Sequence, residues 1–196
     1  MLSRDQFILN CLNAAPYGQE AIKEIVAEVV SDPAKIVAVL GEQEHAGIYP
    51  LYQSPTLTII NFTWAPYMSL MPHNHQMFSV VGIYSGREDN IFWQINDRNL
   101  AAVGAKSLGA GDVVILDKTA IHSALNPIGK MTGAIHVYGG DFFSPIEPRS
   151  EWDHETLVER PWDVERVKSI FRDAEERFYS STIRSRFQRE TIIYHP

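Results

Sequence analysis

Apolar positions along the chain change period twice. From Gln19 to Leu40 (QEAIKEIVAEVVSDPAKIVAVL), Ile22, Ile25, Val26, Val29 and Val30 recur at helical spacing. Ser31-Asp32-Pro33 then stops one helix and opens a second. From about Thr56 to Asp141 the period shortens. TLTIINFTW, FSVVGIYSG, NIFWQIN, DVVILD and TGAIHVYGG are short runs rich in β-branched and aromatic residues, parted by Pro, Gly, Asn and Asp about every ten residues. Strands so spaced predict an all-β sandwich or barrel, and no helical pattern intervenes to suggest βαβ units. After FFSPIEPRSEW the helical period returns. Val164, Val167, Ile170 and Phe171 share one face between Pro161 and Phe178, with Pro161 near the start. The tail from Ser181 to Pro196 is mixed and basic, with Ile192 and Ile193 apolar, and is expected to pack on the barrel or reach a partner chain. The pattern predicts one domain over 1–196: a helical segment at 1–50, a β-barrel at 51–153, and a helix and tail at 154–196.

Composition narrows the class. The 196 residues carry 17 basic and 24 acidic side chains, a net charge of -7, and 45% apolar residues. That length supports a sizeable single core. The acidic balance argues against nucleic acid, which a basic stripe would recognise. No apolar run approaches the roughly 18 residues of a membrane helix. MLSRDQFILNCLNAAPYG lacks the long apolar stretch and small-residue cleavage site of a secretory leader, so a cytoplasmic protein without a membrane partner is expected. Dinucleotide-binding and P-loop glycine motifs are missing, as are repeats. The lone Cys11 excludes an internal disulfide framework and a cysteine-rich zinc site, and reads as a buried small hydrophobe. Seven histidines remain. Any metal site must therefore use imidazole and carboxylate.

Three of those histidines fall at informative positions. His73 and His75, in MPHNHQMFSVVGIYSG, lie two apart and so project from one face if the segment is a strand. His122 follows a strand and a turn in GAGDVVILDKTAIHSALN, which would bring it back across a small barrel toward the first pair. Three neutral imidazoles at one point suit Fe, Zn, Ni, Cu or Mn. Taken singly, the pair also reads as surface histidines and His122 as a structural one. His45, His154 and His195 have no ligand-like spacing. Trp64, Phe92 and Trp93 are expected to fill the core or the barrel ends. Arg87-Glu88-Asp89-Asn90 reads as a solvated turn, with the barrel mouth as the alternative.

The two histidine blocks together resemble the paired motifs of the cupins, double-stranded β-helix barrels with an internal metal. In the first, three residues separate His75 from Ser79 and six separate Ser79 from Gly86. In the second, five residues separate Gly111 from Asp117, two separate Thr119 from His122, and three separate His122 from Asn126. These spacings are the superfamily's. Ser79 stands where its acidic fourth ligand usually sits, Asp117 and Thr119 replace its Pro and Gly, and Tyr67 occupies the place of its leading glycine. The three-histidine pattern is similar to the cysteine dioxygenase-like branch, as is the spacing from Trp64 to His73. A third block, Ala134-x-His136-x-Tyr138 in TGAIHVYGG, matches that branch's Ser-x-His-x-Tyr except for its serine. Likeness runs from about Tyr49 to Asp153.

The resemblance implies Fe(II) (or another divalent ion such as Zn, Ni or Mn) held by His73, His75 and His122. It also implies O2-dependent oxidation of a small thiol to a sulfinate, with Tyr138 beside the substrate and His136 orienting it. Ser79 at the crosslinking position implies an unmodified Tyr138. The arginine that holds the substrate carboxylate in such enzymes has no counterpart in GIYPLYQSP, where Leu51 falls near its place. Arg87 and Arg149 are the substitutes available, both also readable as surface or structural arginines. Two alternatives stay open: another three-histidine chemistry, such as diketone cleavage or isomerisation, and a non-catalytic ligand-binding cupin. Homodimerisation through sheet edges is a further expectation.

Overall fold

A computed structural model of the chain describes residues 3–41, 44–97 and 99–192. His195 and Ile193 lie outside the described residues. Three helices come first, α1 (Arg4–Ala14), α2 (Gln19–Val30) and α3 (Pro33–Leu40). Ser3 caps α1 by accepting from the Gln6 N–H, and Asp32 caps α3 through the Lys35 N–H with Pro33 in the first turn. The strands are β1 (Gly47–Gln53), β2 (Thr58–Trp64), β3 (Ser69–Asn74), β4 (Ser79–Ser85), β5 (Arg87–Asn96) and β6 (Asn99–Gly109). They continue with β7 (Val113–Leu116), β8 (Ile121–Leu125), β9 (Thr132–Tyr138), β10 (Ser150–Trp152) and β11 (Glu159–Pro161), before α4 (Val164–Ile192). The C-terminal helix thus starts three residues later than its pattern predicts. Pro161 belongs to β11, paired with Ser150, and the helix runs beyond Phe178.

Two antiparallel sheets result, in the orders β1-β2-β9-β4-β7 and β11-β10-β3-β8-β5-β6. At the centre of each sheet the neighbours are distant in sequence: β9 lies between β2 and β4, and β8 between β3 and β5. From β2 to β5, and from β6 to β9, the chain crosses from one sheet to the other at every step. This winding is a double-stranded β-helix. The expected class, mainly β with helices at both ends, is the observed one.

The first sheet is covered on both faces. Outside, Ile59, Val80, Ile135 and Val137 pack against Phe7, Ile22, Val26 and Val30 of the N-terminal helices. The approach is closest at Gly82, where a Cβ would fall 2.4 Å from Val26 Cγ1 and 2.9 Å from Val30 Cγ1. Inside, Ile60, Phe62, Trp64 and Tyr138 meet Met71, Phe142 and the α4 residues Val167 and Phe171, so the C-terminal helix closes one end of the barrel. Val81, Ile83, Leu108, Leu116 and Ala134 fill the other end. Cys11 is buried in the helical layer, and burial pushes its thiol up to about 12, as an inert core residue requires.

Tyr67, at the place of the missing motif glycine, has φ 59°. A non-glycine residue held there costs about 1–2 kcal/mol. The side chain is largely exposed, so it recovers little by packing. Tyr67→Gly is expected to raise unfolding stability by about 1 kcal/mol, read as a higher urea midpoint at unchanged m-value.

Candidate metal centre

His73 stands on β3 directly opposite His122 on β8. His75 lies just past the end of β3, which stops at Asn74, so the expectation of both HxH residues within one strand needs correction. A register irregularity between Leu70 and His73 and a turn through Gln76 (φ 54°) bring both rings into the barrel. All three histidines are buried. His75 Nε2 lies 3.2 Å from His73 Nε2 and 3.4 Å from His122 Nε2. Their candidate ligand atoms form the one three-residue group of this kind among the described residues.

The hydrogen bonds behind the rings decide what converges. His73 Nδ1 is 2.9 Å from the Met71 carbonyl, which only accepts, so Nδ1 donates and Nε2 presents a bare lone pair. His122 Nδ1 lies 2.7 Å from the Asn90 amide oxygen, with the same consequence. His75 Nδ1 meets the Ser79 hydroxyl at 3.1 Å, a group able to serve either tautomer. If Ser79 donates to Nδ1, the His75 Nε2–H satisfies one facing lone pair; if Ser79 accepts, all three lone pairs face one another and a cation between them relieves the repulsion. Nitrogens each about 2.1 Å from one ion stand about 3.0 Å apart at right angles and about 3.4 Å apart at tetrahedral angles. The two separations from His75 Nε2 fall in that interval, and all three ligand atoms lie within 4.8 Å of one another. The three histidines therefore fit a divalent metal ion.

Electrostatics agree. Burial, then the neighbouring imidazoles, holds His73 and His75 well below the usual histidine range, and burial with the nearby Arg149 charge takes His122 to about 3. The rings are neutral at neutral pH, as metal binding needs. Among the described residues no carboxylate joins them. Ser79, at the position of the usual acid, is engaged with His75.

Tyr138 and His136 share the inner face of β9, as their alternation predicts. Tyr138 Oη lies 3.0 Å from His136 Nδ1, and the Tyr138 ring stands edge-on to His75 with centroids 5.1 Å apart. Burial pushes the phenol far above its ordinary pKa and takes His136 down to about 3. His136 Nε2 is buried without a partner. Ala134, next on that strand face, has no hydroxyl to offer.

The space beside the three rings holds about 10 Å³, room for about one water. Trp162 roofs it, with its ring centroid 5.0 Å from that of His73. Arg149, read from sequence as surface or structural, is buried in the same wall. Its guanidinium lies 4.5 Å from the Phe142 centroid and 4.1 Å from that of Trp162. Nε bonds the Asn74 carbonyl and Nη1 the Phe142 carbonyl, whereas Nη2 has no partner. Burial lowers Arg149 to about 10, which leaves it charged at neutral pH. The fully buried Glu151 ties the roof together by accepting from Arg160 on β11 and Arg166 on α4. Trp162→Ala should open this wall, so that a chelator strips metal several-fold faster than from wild type in a stopped-flow competition.

Other candidates lie elsewhere. Arg87 pairs with Asp89 on the surface, and Leu51 packs toward the N-terminal helices. His45 bonds Glu175. A groove of about 390 Å³ on the outer face of the second sheet, near Ile91, Trp93 and His154, is separate from the three rings. Arg87–Asn90 is not the solvated turn expected. It opens β5, with Arg87 and Asp89 facing out as an ion pair and Glu88 and Asn90 buried inside. All four side chains are polar, so the alternation is one of burial and not of residue type.

No family model matches the chain, and neither does any curated protein. Solved structures share its shape at low identity. An uncharacterized conserved protein with a double-stranded β-helix domain from Klebsiella pneumoniae is 11% identical over 62% of this chain and 88% of that chain, with a TM-score of 0.41. An RmlC-like cupin family protein from Methanocaldococcus jannaschii is 10% identical over 53% and 87%, at 0.44. An oxalate oxidase is 14% identical over 43% and 42%, at 0.37. Nothing about chemistry follows from likenesses this distant. The fold stands on its own strand winding. Among the described residues, no helix is long and apolar enough to cross a membrane.

Proposed function

We propose that the chain is a non-haem Fe(II) dioxygenase of the cysteine dioxygenase-like cupin type, converting a small thiol and O2 to a sulfinate. The observation that carries this reading is the convergence of three neutral imidazole nitrogens, without a carboxylate, beside the Tyr138–His136 pair. Both oxygen atoms of O2 end on sulfur, so RSH and O2 balance RSO2H with no further reductant. Iron, when bound, supplies Lewis acidity and the redox chemistry that O2 requires.

The chain supplies the rest. An all-imidazole set leaves the charge of a dication unbalanced and so favours an anionic thiolate over a neutral ligand. Arg149 adds a second positive charge at the wall, with one guanidinium nitrogen free of protein partners. This favours thiols that carry an acidic group. Tyr138 keeps its proton because burial disfavours the phenolate. With His136 Nδ1–H donating to Oη, the phenolic hydrogen is free to point into the pocket and bond the reacting ligand. Phe142 and Trp162 exclude bulk water.

The test is metal content together with O2 uptake across aminothiols, thiol carboxylates and β-diketones. Iron retention and sulfinate formation with a thiol are expected. Protein that holds no iron and consumes no O2 with any thiol refutes the reading. A second reading, cleavage of β-diketones at the same site, is favoured by the mostly apolar lining and by Leu51 facing away from it. Uptake with diketones alone would select it.

A further inference from the structure

Two polar side chains inside the barrel have no part in the proposed reaction. Asn90 and Glu88, two apart on β5, are each 1% exposed. Glu88 Oε1 accepts from Asn90 Nδ2 at 2.9 Å, and Asn90 Oδ1 faces His122 Nδ1 at 2.7 Å. Leu108 stands opposite Glu88 on β6. Glu88 Oε2 has no partner, and no ion pair involving Glu88 occurs among the described residues. A carboxyl buried on one hydrogen bond is expensive. Burial pushes it up to about 7, against the pull of the Asn90 bond.

The three ligands differ in what fixes their tautomers. A backbone carbonyl holds His73, and it can only accept. An amide holds His122, and an amide has two ends. Turned by half a revolution, Asn90 would present N–H to His122 Nδ1. The imidazole proton would then sit on Nε2, aimed at His75 Nε2 only 3.4 Å away. We propose that Glu88 is a positioning residue for the metal centre: by accepting from Asn90 Nδ2 it forces the amide oxygen toward His122, fixes the proton on Nδ1, and leaves Nε2 free for the ion. Ionised or neutral, the carboxyl offers an acceptor at Oε1, so the device works on either side of its titration. The role rests on the metal-site reading of the three histidines and extends it by two residues.

The experiment compares wild type with E88Q, which keeps an acceptor at the same place, and E88L, which does not. In metal-free protein, long-range ¹H–¹⁵N correlation reads the His122 tautomer. Competition with a chelating dye reads Co(II) affinity. E88Q is expected to keep the Nδ1–H form and Co(II) affinity within about threefold, whereas E88L gains the Nε2–H form and binds Co(II) roughly 10–100-fold more weakly. Adding Asn90→Asp to E88L, which puts an obligate acceptor against His122, should restore both. Glu88→Ala, which admits water, replaces E88L if that variant does not fold. An unchanged tautomer and affinity in E88L, or E88Q as weak as E88L, would overturn the assignment. If wild type binds no divalent ion, the metal reading fails, while the tautomer measurement still judges Glu88.

Discussion

Replacing His122 with alanine is expected to abolish metal retention and turnover together, with the fold intact. The expectation follows from the donor set. Three Nε2 atoms converge, and Ser79, at the usual place of a fourth ligand, is bonded to His75. Two imidazoles remain after the substitution, and among the described residues no carboxylate joins them to compensate. The loss should therefore exceed the roughly 10–100-fold produced by disturbing a ligand's hydrogen-bond partner. Removing the ring leaves buried Asn90 Oδ1 without its 2.7 Å partner, so the metal-free variant should unfold about 1–3 kcal/mol below wild type while still folding cooperatively. The contrast appears on adding metal. An ion at about a hundred times its dissociation constant stabilises wild type by about 2.7 kcal/mol. For a domain of this size, that raises Tm by about 5–10 °C. H122A should show no rise, while H45A and H154A should respond as wild type. Elemental analysis, thermal melts with and without Co(II), and O2 uptake decide the matter. Full metal occupancy in H122A would sink the assigned site.

Tyr138→Phe should separate binding from reaction. The ring packs against Phe142 and stands edge-on to His75, contacts that phenylalanine keeps. What goes is the hydroxyl 3.0 Å from His136 Nδ1. His136 Nε2 already lacks a partner, so the variant leaves this imidazole with none, and stability should fall by about 1–3 kcal/mol. Metal content should not change. Turnover should drop about 10²–10⁴-fold, the range for a positioned proton donor, with the loss in kcat rather than KM. Because burial holds the phenol protonated far above neutrality, the wild-type pH profile should show no Tyr138 ionisation below about pH 10. Unimpaired turnover in Y138F would make the pair structural and would favour the other three-histidine chemistries.

Much of this arrangement is legible in the residue order, for identifiable reasons. His73, His75 and His122 stand out because spacing survives folding: a strand, a turn and a returning strand bring them together whatever surrounds them. His136 and Tyr138 are legible by simple alternation. Strands without a buried face are harder. β6 reads NLAAVGAKSLG, small and mostly exposed, with no alternation to mark it. β1 contains Pro50, which an edge strand tolerates and a period analysis takes for a break. Arg87–Asn90 resembles a turn because all four side chains are polar. Its inward pair is acceptable only because Asn90 and His122 satisfy each other. Arg149 is hidden for the opposite reason. Its burial depends on Phe142 and Trp162, which only the folded chain sets on either side of it.

The contact at Gly82 has a mechanical consequence. With Val26 and Val30 pressed against bare backbone, the first sheet is clamped from behind by α2 and cannot recede. Tyr138 and His136 belong to that clamped plate. A cavity with room for one water must therefore enlarge on the other side, by displacing Trp162 and the α4 face that carries Val167. Tyr138 stays fixed while the wall yields. Any ligand larger than a diatomic gas has to work against the Glu151 ion pairs and the cation wedged between two aromatic rings, whereas O2 does not. Tight organic ligands should accordingly be those that return this work through contacts with the displaced wall.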